Sequence, residues 1–438
     1  MKIPKRIAAA IINSLKGGVV PRIGLPYVTV GRTAEINALL HDVDIISDGG
    51  ASFRFIVGKY GSGKSFLLQT IRNYCLDKNF VVVDADLSPE RRLHGTKGQG
   101  LATYKELIKN MSTKTRPEGG ALSLILDRWI SNVQSETVAQ SGITFNDPNF
   151  TSEVEKRIFS VINSLNEMVH GFDFAKLLTT YYRAYVNGND EDKMKVIKWF
   201  RGEYATKSEA KAELNVNIII TDDDWYEYIK LFAVFLKKAG YNGLMILIDE
   251  LVNIYKIPNS ITRQYNYEKI LTMYNDALQG KAGYMGIIMC GTPQCIEDKH
   301  RGVYSYEALR SRLSTGKYGS DACADMLAPV IKLSPLNYEE MTVLTEKLSE
   351  IHSTLFEYES KLSQSDFIKI IEIDYSRIGA ESNISPREVI RDFIELLNIL
   401  YQNPKVTVSE LMQSDDFVYA KSELDSQEVK DEFAEIEI

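Results

Sequence analysis

The sequence of 438 residues lacks any apolar run long enough to cross a lipid bilayer, and it holds only four cysteines. A transmembrane helix needs about 20 consecutive apolar residues, so no membrane contact is expected. Near the N-terminus, a short Ala/Ile stretch follows Lys5 and Arg6, but Asn13 and Lys16 interrupt it. Such a stretch is typical of an amphipathic helix and not of a secretory signal peptide. These absences favour a cytoplasmic protein.

The cysteines lack the spacing of a metal site. Cys290 and Cys295 flank the end of a predicted strand, whereas Cys75 and Cys323 stand far from any other cysteine. Metal-binding cysteines recur at short, paired intervals. We therefore expect free, buried thiols in a protein of a reducing compartment.

The chain also lacks an excess of positive charge: 51 Lys and Arg face 59 Asp and Glu, which gives a net charge of −8. Nucleic-acid binding then requires a local basic face. One diffuse basic patch lies in residues 193–211. It is either a surface for a partner or nucleic acid, or a solvated helical face interleaved with core aromatics, and we favour the second interpretation. Its members are Lys193, Lys195, Lys198, Arg201, Lys207 and Lys211, with Trp199, Phe200 and Tyr204 among them.

What the chain does contain is a phosphate-binding loop at residues 58–65, with the pattern G-x-x-x-x-G-K-S. An apolar run at 53–57 precedes it and a helical pattern follows, which is the strand–loop–helix context that the motif requires. Glycines allow the tight turn, and the helix N-terminus favours an anion. Lys64 is predicted to reach the β- and γ-phosphates of ATP, and Ser65 to bind Mg²⁺. The predicted nucleotide-binding residues here are Gly58, Gly61, Ser62, Gly63, Lys64, Ser65 and Phe66.

A second motif, an apolar strand at 244–248 followed by Asp249 and Glu250, is typical of a Walker B element. Asp249 is predicted to hold Mg²⁺ together with Ser65. Glu250 is predicted to orient the attacking water or to accept its proton. A second carboxylate of this kind serves hydrolysis, whereas simple binding does not need it.

Two further segments are candidate contacts to the nucleotide. Gly31 and Arg32 stand before the loop, where they are predicted to pack against adenine; a plain strand-to-helix turn is the alternative. Thr292 follows a buried strand predicted to lie between the loop strand and the Walker B strand. It is predicted to be a polar sensor of the γ-phosphate, with Gln294 as the alternate residue and a structural Gly-Thr-Pro turn as the other interpretation.

Three arginines are candidate catalytic residues. Arg310 and Arg312 lie on a short predicted helix and are candidates for an arginine finger that acts on a neighbouring subunit; ordinary surface arginines are the alternative. Arg387 follows Ser385-Pro386 in the first turn of a helix, where the dipole disfavours a cation. A nucleotide phosphate or a nearby acid would each explain that position.

An acidic run at 222–224 precedes another predicted helix. Three adjacent carboxylates suggest a metal site. We favour a capping role, because negative charge in the first turn of a helix complements its dipole.

The order of these motifs resembles that of AAA+ ATPases of the origin-recognition/STAND type and, more closely, the ATP-binding proteins of BREX phage-defence systems (BrxD type). The residues quoted above carry the resemblance, together with Gly-Val-Val-Pro-Arg at 18–22, Arg-Leu-His-Gly at 92–95 and Tyr-Glu-Ala-Leu-Arg-Ser-Arg-Leu at 306–313. The resemblance implies an α/β fold: a P-loop AAA+ core with a parallel sheet flanked by helices, a large helical insertion and a C-terminal helical lid.

The predicted organisation follows from the motifs and this resemblance. An N-terminal helix and adenine-proximal segment occupy 1–50, and the ATPase core occupies 51–95 and 241–333. A mostly helical insertion within the core spans 96–240, a helical lid spans 334–404, and an acidic tail spans 405–438.

Two functions fit these expectations. The first is an oligomeric, Mg²⁺-dependent ATPase of a phage-defence system that acts on or with double-stranded DNA and with other defence proteins. The second is a nucleotide-gated switch or scaffold that assembles partner proteins without touching DNA. A GTPase or small-molecule kinase is disfavoured, because no Asn-Lys-x-Asp guanine motif is present and Glu250 suits attack by water.

Overall fold

A computed structural model of the chain describes residues 3–165, 167–314, 325–377 and 386–413. Cys323, Ser385 and the acidic tail from Asp425 lie outside the described residues. The chain divides into two compact units. One comprises Met1–Val28, Asn337–Ile384 and Glu388–Ile438, and the other comprises Thr29–Leu336 with Ser385–Arg387.

The larger unit contains a five-stranded sheet and most of the helices. Its strands are β1 (Ala51–Val57), β2 (Val81–Asp86), β3 (Leu244–Asp249), β4 (Met285–Gly291) and β5 (Val330–Lys332). The helix α3 (Thr33–Ser47) precedes β1, and the helix α4 (Lys64–Asp77) follows the phosphate-binding loop. Between β2 and β3 lie α5 (Gln99–Lys109), α6 (Leu122–Ser141), α7 (Phe150–Asn163), α8 (Gly171–Val186), α9 (Asp190–Phe200), α10 (Lys207–Leu214) and α11 (Trp225–Lys238). After β3 come α12 (Val252–Tyr255), α13 (Ser260–Leu278), α14 (Pro293–Glu297) and α15 (Glu307–Leu313).

All strand pairs in this sheet are parallel, and their order is β2-β3-β4-β1-β5. The strand β4 therefore lies between the loop strand β1 and the Walker B strand β3, as the sequence predicts. Parallel strands direct their carboxyl ends to one edge, where α/β proteins bind ligands. This arrangement confirms the predicted α/β class with a parallel sheet flanked by helices.

Each face of the sheet packs into its own hydrophobic core, because successive strand residues point to opposite faces. On one face, Ile56, Val82 and Leu247 pack with Leu39 of α3 and Ile71 of α4. The other face joins a larger core that extends into the helices between β2 and β3. Its members include Phe55, Val83, Ile246, Tyr104, Trp129, Phe174, Phe232 and Tyr274. Near-continuous apolar strands such as β4 are thus explained by burial on both sides.

Three lysines of the basic patch at 193–211 form ion pairs with neighbouring acids. Lys198 lies 2.6 Å from Glu209, and Lys195 lies 2.8 Å from Glu191. Lys193 contacts Asp127 at 3.2 Å. Its aromatic residues Trp199, Phe200 and Tyr204 are buried in the larger core. The burial of these aromatic residues agrees with the favoured interpretation, a solvated face interleaved with core aromatics.

The acidic run at 222–224 caps a helix, but not the one that follows it. Asp222 accepts hydrogen bonds from Gly98 N at 2.6 Å and Leu101 N at 2.7 Å, at the start of α5. Asp224 accepts from Thr221 N at 2.7 Å. The N–H groups of a first helical turn lack intrahelical partners, so a carboxylate from elsewhere can supply one. Asp222 therefore caps a helix, as the sequence predicted, but that helix is α5 and not α11, which follows the acidic run.

The described residues of the smaller unit form helices joined by loops, with no strand among them. It contains α1 (Lys5–Lys16), α2 (Leu25–Val28), α16 (Tyr338–Phe356), α17 (Gln364–Arg377), α18 (Pro386–Gln402) and α19 (Val408–Gln413). Ala8 and Ile11 of α1 are fully buried, and α1 packs against α16. This amphipathic helix is therefore part of a folded domain.

Three of the four cysteines are free and buried, as expected: Cys75, Cys290 and Cys295. In the described ranges, no helix is both long and apolar enough to cross a membrane.

Candidate active site

The loop between β1 and α4 has the backbone that its glycines predict. A Cβ atom at Gly58 would lie 2.4 Å from Ser62 Oγ, so only glycine fits there. Gly63 has a φ of +93° immediately before α4, in the left-handed region that glycine adopts without a steric penalty. Gly58 N also donates to Gly291 O at 3.1 Å, which ties the loop to the end of β4.

Lys64 is folded back onto its own loop. Its Nζ atom donates to Gly58 O at 2.9 Å and to Lys59 O at 2.8 Å. It lies 5.6 Å from the ring centroid of Tyr60, a side chain on the loop surface. Burial lowers the pKa of Lys64, and the nearby Asp249 carboxylate opposes that shift. A bound phosphate would replace the two carbonyls as the acceptor for this ammonium group.

The two predicted motifs meet at the carboxyl edge of the sheet. Ser65 Oγ donates to Asp249 Oδ2 at 2.7 Å, although 184 positions separate the two residues. The other carboxylate oxygen, Asp249 Oδ1, accepts from Glu250 N at 2.7 Å. One carboxylate therefore connects the phosphate-binding loop to the residue predicted to act on water.

Glu250 is exposed and adopts a φ of +61°. A left-handed conformation is uncommon for a non-glycine residue, and it costs about 1–3 kcal/mol. Such conformations cluster at functional sites, where the surrounding structure enforces them. Here Leu251 N donates to Cys290 O at 3.1 Å, which anchors the turn to β4. The chain therefore turns away from β3 at Glu250, the residue predicted to act on water.

The sequence did not indicate Asp86, which the fold places beside this centre. Asp86 is the register partner of Asp249 on the neighbouring strand. Burial raises the pKa of Asp86, and Asp249 adds to the shift. A cavity of about 120 Å³ adjoins the two carboxylates. It is lined in part by Ser65, Gln69, Arg72, Asp84, Asp86 and Asp249. The sequence could have indicated Asp86 through its position at the end of an apolar strand, which Asp249 shares.

The donor atoms present fit a magnesium ion together with a nucleotide. Mg²⁺ prefers oxygen ligands and is usually bound by one or two protein groups, substrate phosphates and water. Ser65 and Asp249 supply two such oxygens within 2.7 Å of each other. Within the described ranges, no group of three or more His, Cys, Asp or Glu is arranged to hold a metal. The loop also carries a buried Ser62 Oγ that no described residue hydrogen-bonds.

Arg32 makes contacts that its position before the loop did not predict. Its guanidinium is buried and donates to Glu35 at 3.1 Å and to Ser62 O at 3.2 Å. It also donates to Ser334 O at 2.7 Å. The side chain thus joins the phosphate-binding loop to the segment that follows β5. Contact between adenine and Gly31 or Arg32 stays a prediction. The helix α3 begins at Thr33, with no side-chain cap.

This geometry makes Arg32→Lys informative when it is compared with Arg54→Lys. Arg54 is an equally buried arginine that binds Asp42 at 2.6 Å and the carbonyls of Leu327 and Ala328, away from the loop. Lysine cannot reproduce a guanidinium fork. We expect each variant to lower the free energy of unfolding by about 1.5–3 kcal/mol.

Only Arg32→Lys should also weaken ATP binding, by about tenfold, because only Arg32 fixes the carbonyl of Ser62. Thermal unfolding and titration with a fluorescent ATP analogue measure the two effects. Equal ATP affinities in the two variants would show that Arg32 stabilises the fold without positioning the loop.

Thr292 lies at the correct edge of the sheet, one residue after the Gly291 carbonyl that holds Gly58. Its hydroxyl accepts from Cys295 N at 3.4 Å and lies 2.9 Å from Cys295 Sγ. It therefore caps the short helix α14. Gln294 is exposed beside it. The structural turn is present, and the sensor role of either residue stays a prediction.

The three candidate arginines are each accessible in the isolated chain. Arg310 lies 3.8 Å from Glu307 in the same helix, with 42% of its side chain exposed. Arg312 donates to Ala308 O at 2.7 Å and is exposed. Arg387 is exposed in the first turn of α18. Their roles toward a phosphate stay predictions.

The family described as BREX system ATP-binding protein BrxC/D matches residues 3–416. No curated protein matches the chain significantly.

Proposed function

We propose, from the premise that this chain belongs to the BREX system ATP-binding protein BrxC/D family, that it hydrolyses ATP with Mg²⁺. The family gives the chain ATP binding and a role in a phage-defence system. The observation that carries the proposal is the contact between Ser65 and Asp249, with Glu250 next in the chain. Hydrolysis needs both a phosphate clamp and a group that acts on water, and these residues supply them.

The roles of the residues follow from their placement. Lys64 would neutralise charge on the β- and γ-phosphates, and the backbone of residues 58–63 would cradle them. Mg²⁺, held by Ser65 and Asp249, would supply charge stabilisation on the transferred phosphoryl group. Glu250, on its left-handed turn, would orient the attacking water or take its proton. The strand order supports an AAA+-type core, in which Thr292, Arg310, Arg312 and Arg387 complete the site.

An oligomer is part of this proposal. Arg310 and Arg312 lie on a short surface helix, where they can reach the nucleotide of a second copy of this chain. Turnover per protein chain should then rise with protein concentration, which an assay over a dilution series measures. A constant specific activity would exclude sites shared between subunits.

The second candidate function is a nucleotide-gated switch that assembles other defence proteins. The ion pairs of Lys193, Lys195 and Lys198 favour it, because the patch at 193–211 was the only sequence feature that supported contact with DNA. ATP turnover by the purified protein, with and without single- and double-stranded DNA at fixed low salt, separates the two functions. A rise with DNA supports the DNA-directed ATPase. A slow rate that ignores DNA supports the switch.

A further inference from the structure

The segment between β2 and α5 presents cationic side chains at the edge of the sheet that carries the active site. Residues 91–98 contain Arg91, Arg92 and Lys97 and no acid. Arg91 donates to Asp86 O at 2.9 Å and lies 4.0 Å from Glu106. Within the described ranges, no carboxylate lies within 4.0 Å of Arg92 or Lys97. Arg92 and Lys97 thus differ from the ion-paired Lys193, Lys195 and Lys198, and the carboxylate at the end of the segment, that of Asp222, binds the backbone of Gly98.

This segment is rigidly held although it lies at the surface. The fully buried Asn266 of α13 accepts from Leu93 N at 3.0 Å and His94 N at 2.9 Å. Its amide donates to His94 O at 3.1 Å. Trp225 Nε1 donates to Leu93 O at 3.1 Å, and Thr103 Oγ1 donates to Arg92 O at 2.6 Å. Preorganisation of this kind lowers the entropic cost of binding a partner.

Arg92 and His94 flank the buried Leu93, and each has a polar side-chain atom without a hydrogen-bond partner among the described residues. Arg92 Nε and His94 Nδ1 are buried, and no described residue hydrogen-bonds either atom. Buried polar atoms normally have partners, so such exceptions call for an explanation. A ligand or water that enters this surface would satisfy them.

An exposed aromatic surface adjoins these cations. The ring of His94 lies 5.1 Å from that of Tyr265 on α13, and Tyr265 is 49% exposed. Ile261, one turn earlier on the same face of α13, is 59% exposed. Cationic groups that follow a phosphate chain, beside rings on which bases stack, are the features of a surface for single-stranded nucleic acid. One carboxylate, that of the exposed Glu268, lies on the same face of α13, three residues after Tyr265.

Hydrogen bonds connect this segment to residues 249–253, the turn that follows β3, here called the Walker B turn. Leu87 N donates to Asp249 O at 3.1 Å, and Asn253 Nδ2 donates to Leu87 O at 2.8 Å. Asn253 N in turn donates to Glu250 O at 3.0 Å. Leu87 at the start of the segment is thus bound to the Walker B turn. Leu93 and His94, further along the segment, are bound to Asn266 of α13.

We propose that Arg92, His94, Lys97 and Tyr265 form a contact surface for single-stranded nucleic acid, and that occupancy of this surface alters ATP turnover through the Walker B turn. This proposal rests on the proposed ATPase activity for its second part only. Arg92 and Lys97 contact phosphates, and the His94–Tyr265 pair stacks on a base.

Fluorescence anisotropy with labelled single-stranded DNA, its duplex and the matching RNA tests the surface on the full-length protein. Tyr265→Ala should weaken binding of the single strands by at least about fivefold, and Tyr265→Phe should restore it. Arg92→Ala should weaken binding and reduce the slope of log affinity against log salt by about one. Lys195→Ala, in the patch at 193–211, is the matched control and should leave binding unchanged.

Basal ATP turnover separates a failure of this proposal from a failure of the proposed function. All three alanine variants should keep basal turnover, and Arg92→Ala and Tyr265→Ala should lose the change caused by the single strand. Unaltered nucleic-acid binding in both variants overturns the proposal, as does a wild-type protein that binds no nucleic acid. If these substitutions instead abolish a complex with another defence protein, the surface belongs to a protein partner and the proposal is wrong.

Discussion

Glu250→Gln is expected to bind ATP with wild-type affinity and to release phosphate at least about 100-fold more slowly. Glutamine keeps the size and hydrogen-bonding shape of the side chain but cannot take a proton from water. The Glu250 side chain is exposed, so the substitution should not disturb the packing of the core. The fold should therefore be retained.

Phosphate release and equilibrium binding of a fluorescent ATP analogue measure the two halves of this prediction. Glu136→Gln, an exposed glutamate on α6, is the control for loss of a surface charge. Wild-type turnover in Glu250→Gln would remove Glu250 from the reaction and leave the base to another group, of which Asp86 is the nearest candidate.

Lys64→Ala is expected to weaken ATP binding by at least about 100-fold, which corresponds to ~2.7 kcal/mol. Charge-assisted hydrogen bonds to phosphate are among the strongest that a side chain makes. The variant also frees the carbonyls of Gly58 and Lys59, which Lys64 now binds. Because Lys59 is exposed, water can replace Lys64 at its carbonyl, and the melting temperature should change little.

Isothermal titration with ATP and Mg²⁺ measures the loss. Lys59→Ala changes the adjoining lysine of the same loop and should leave the affinity within a few-fold of wild type. Equal affinities in Lys64→Ala and the wild type would mean that the nucleotide binds elsewhere.

Local motifs allowed the centre of the site to be predicted from the sequence. The loop at 58–65 and the strand ending in Asp249 are each determined by a few adjacent residues, since glycine freedom and strand burial act over short distances. The position of β4 between them was expected from the resemblance to ATPases with an inserted strand, not from the residues themselves. The contact between Ser65 and Asp249 is the direct consequence of these two local features.

Contacts between distant segments could not be predicted in the same way. Arg32 binds the carbonyl of Ser334, 302 positions away, and a carbonyl carries no sequence signature. Asp222 caps a helix 124 positions earlier in the chain. Lys193 and Lys198 pair with Asp127 and Glu209, which lie on other helices, so the sequence could not identify these ion pairs. The fold divides into two units, and the finer domain boundaries expected from the sequence stay predictions.

A structure of the protein with Mg²⁺ and a non-hydrolysable ATP analogue tests the central claim most directly. The account predicts that Lys64 Nζ leaves the carbonyls of Gly58 and Lys59 for the β- and γ-phosphates. It also predicts that a metal ion separates Ser65 Oγ from Asp249, with Glu250 facing the γ-phosphate. A nucleotide bound away from residues 58–65, or a Lys64 that keeps its present hydrogen bonds, would contradict it.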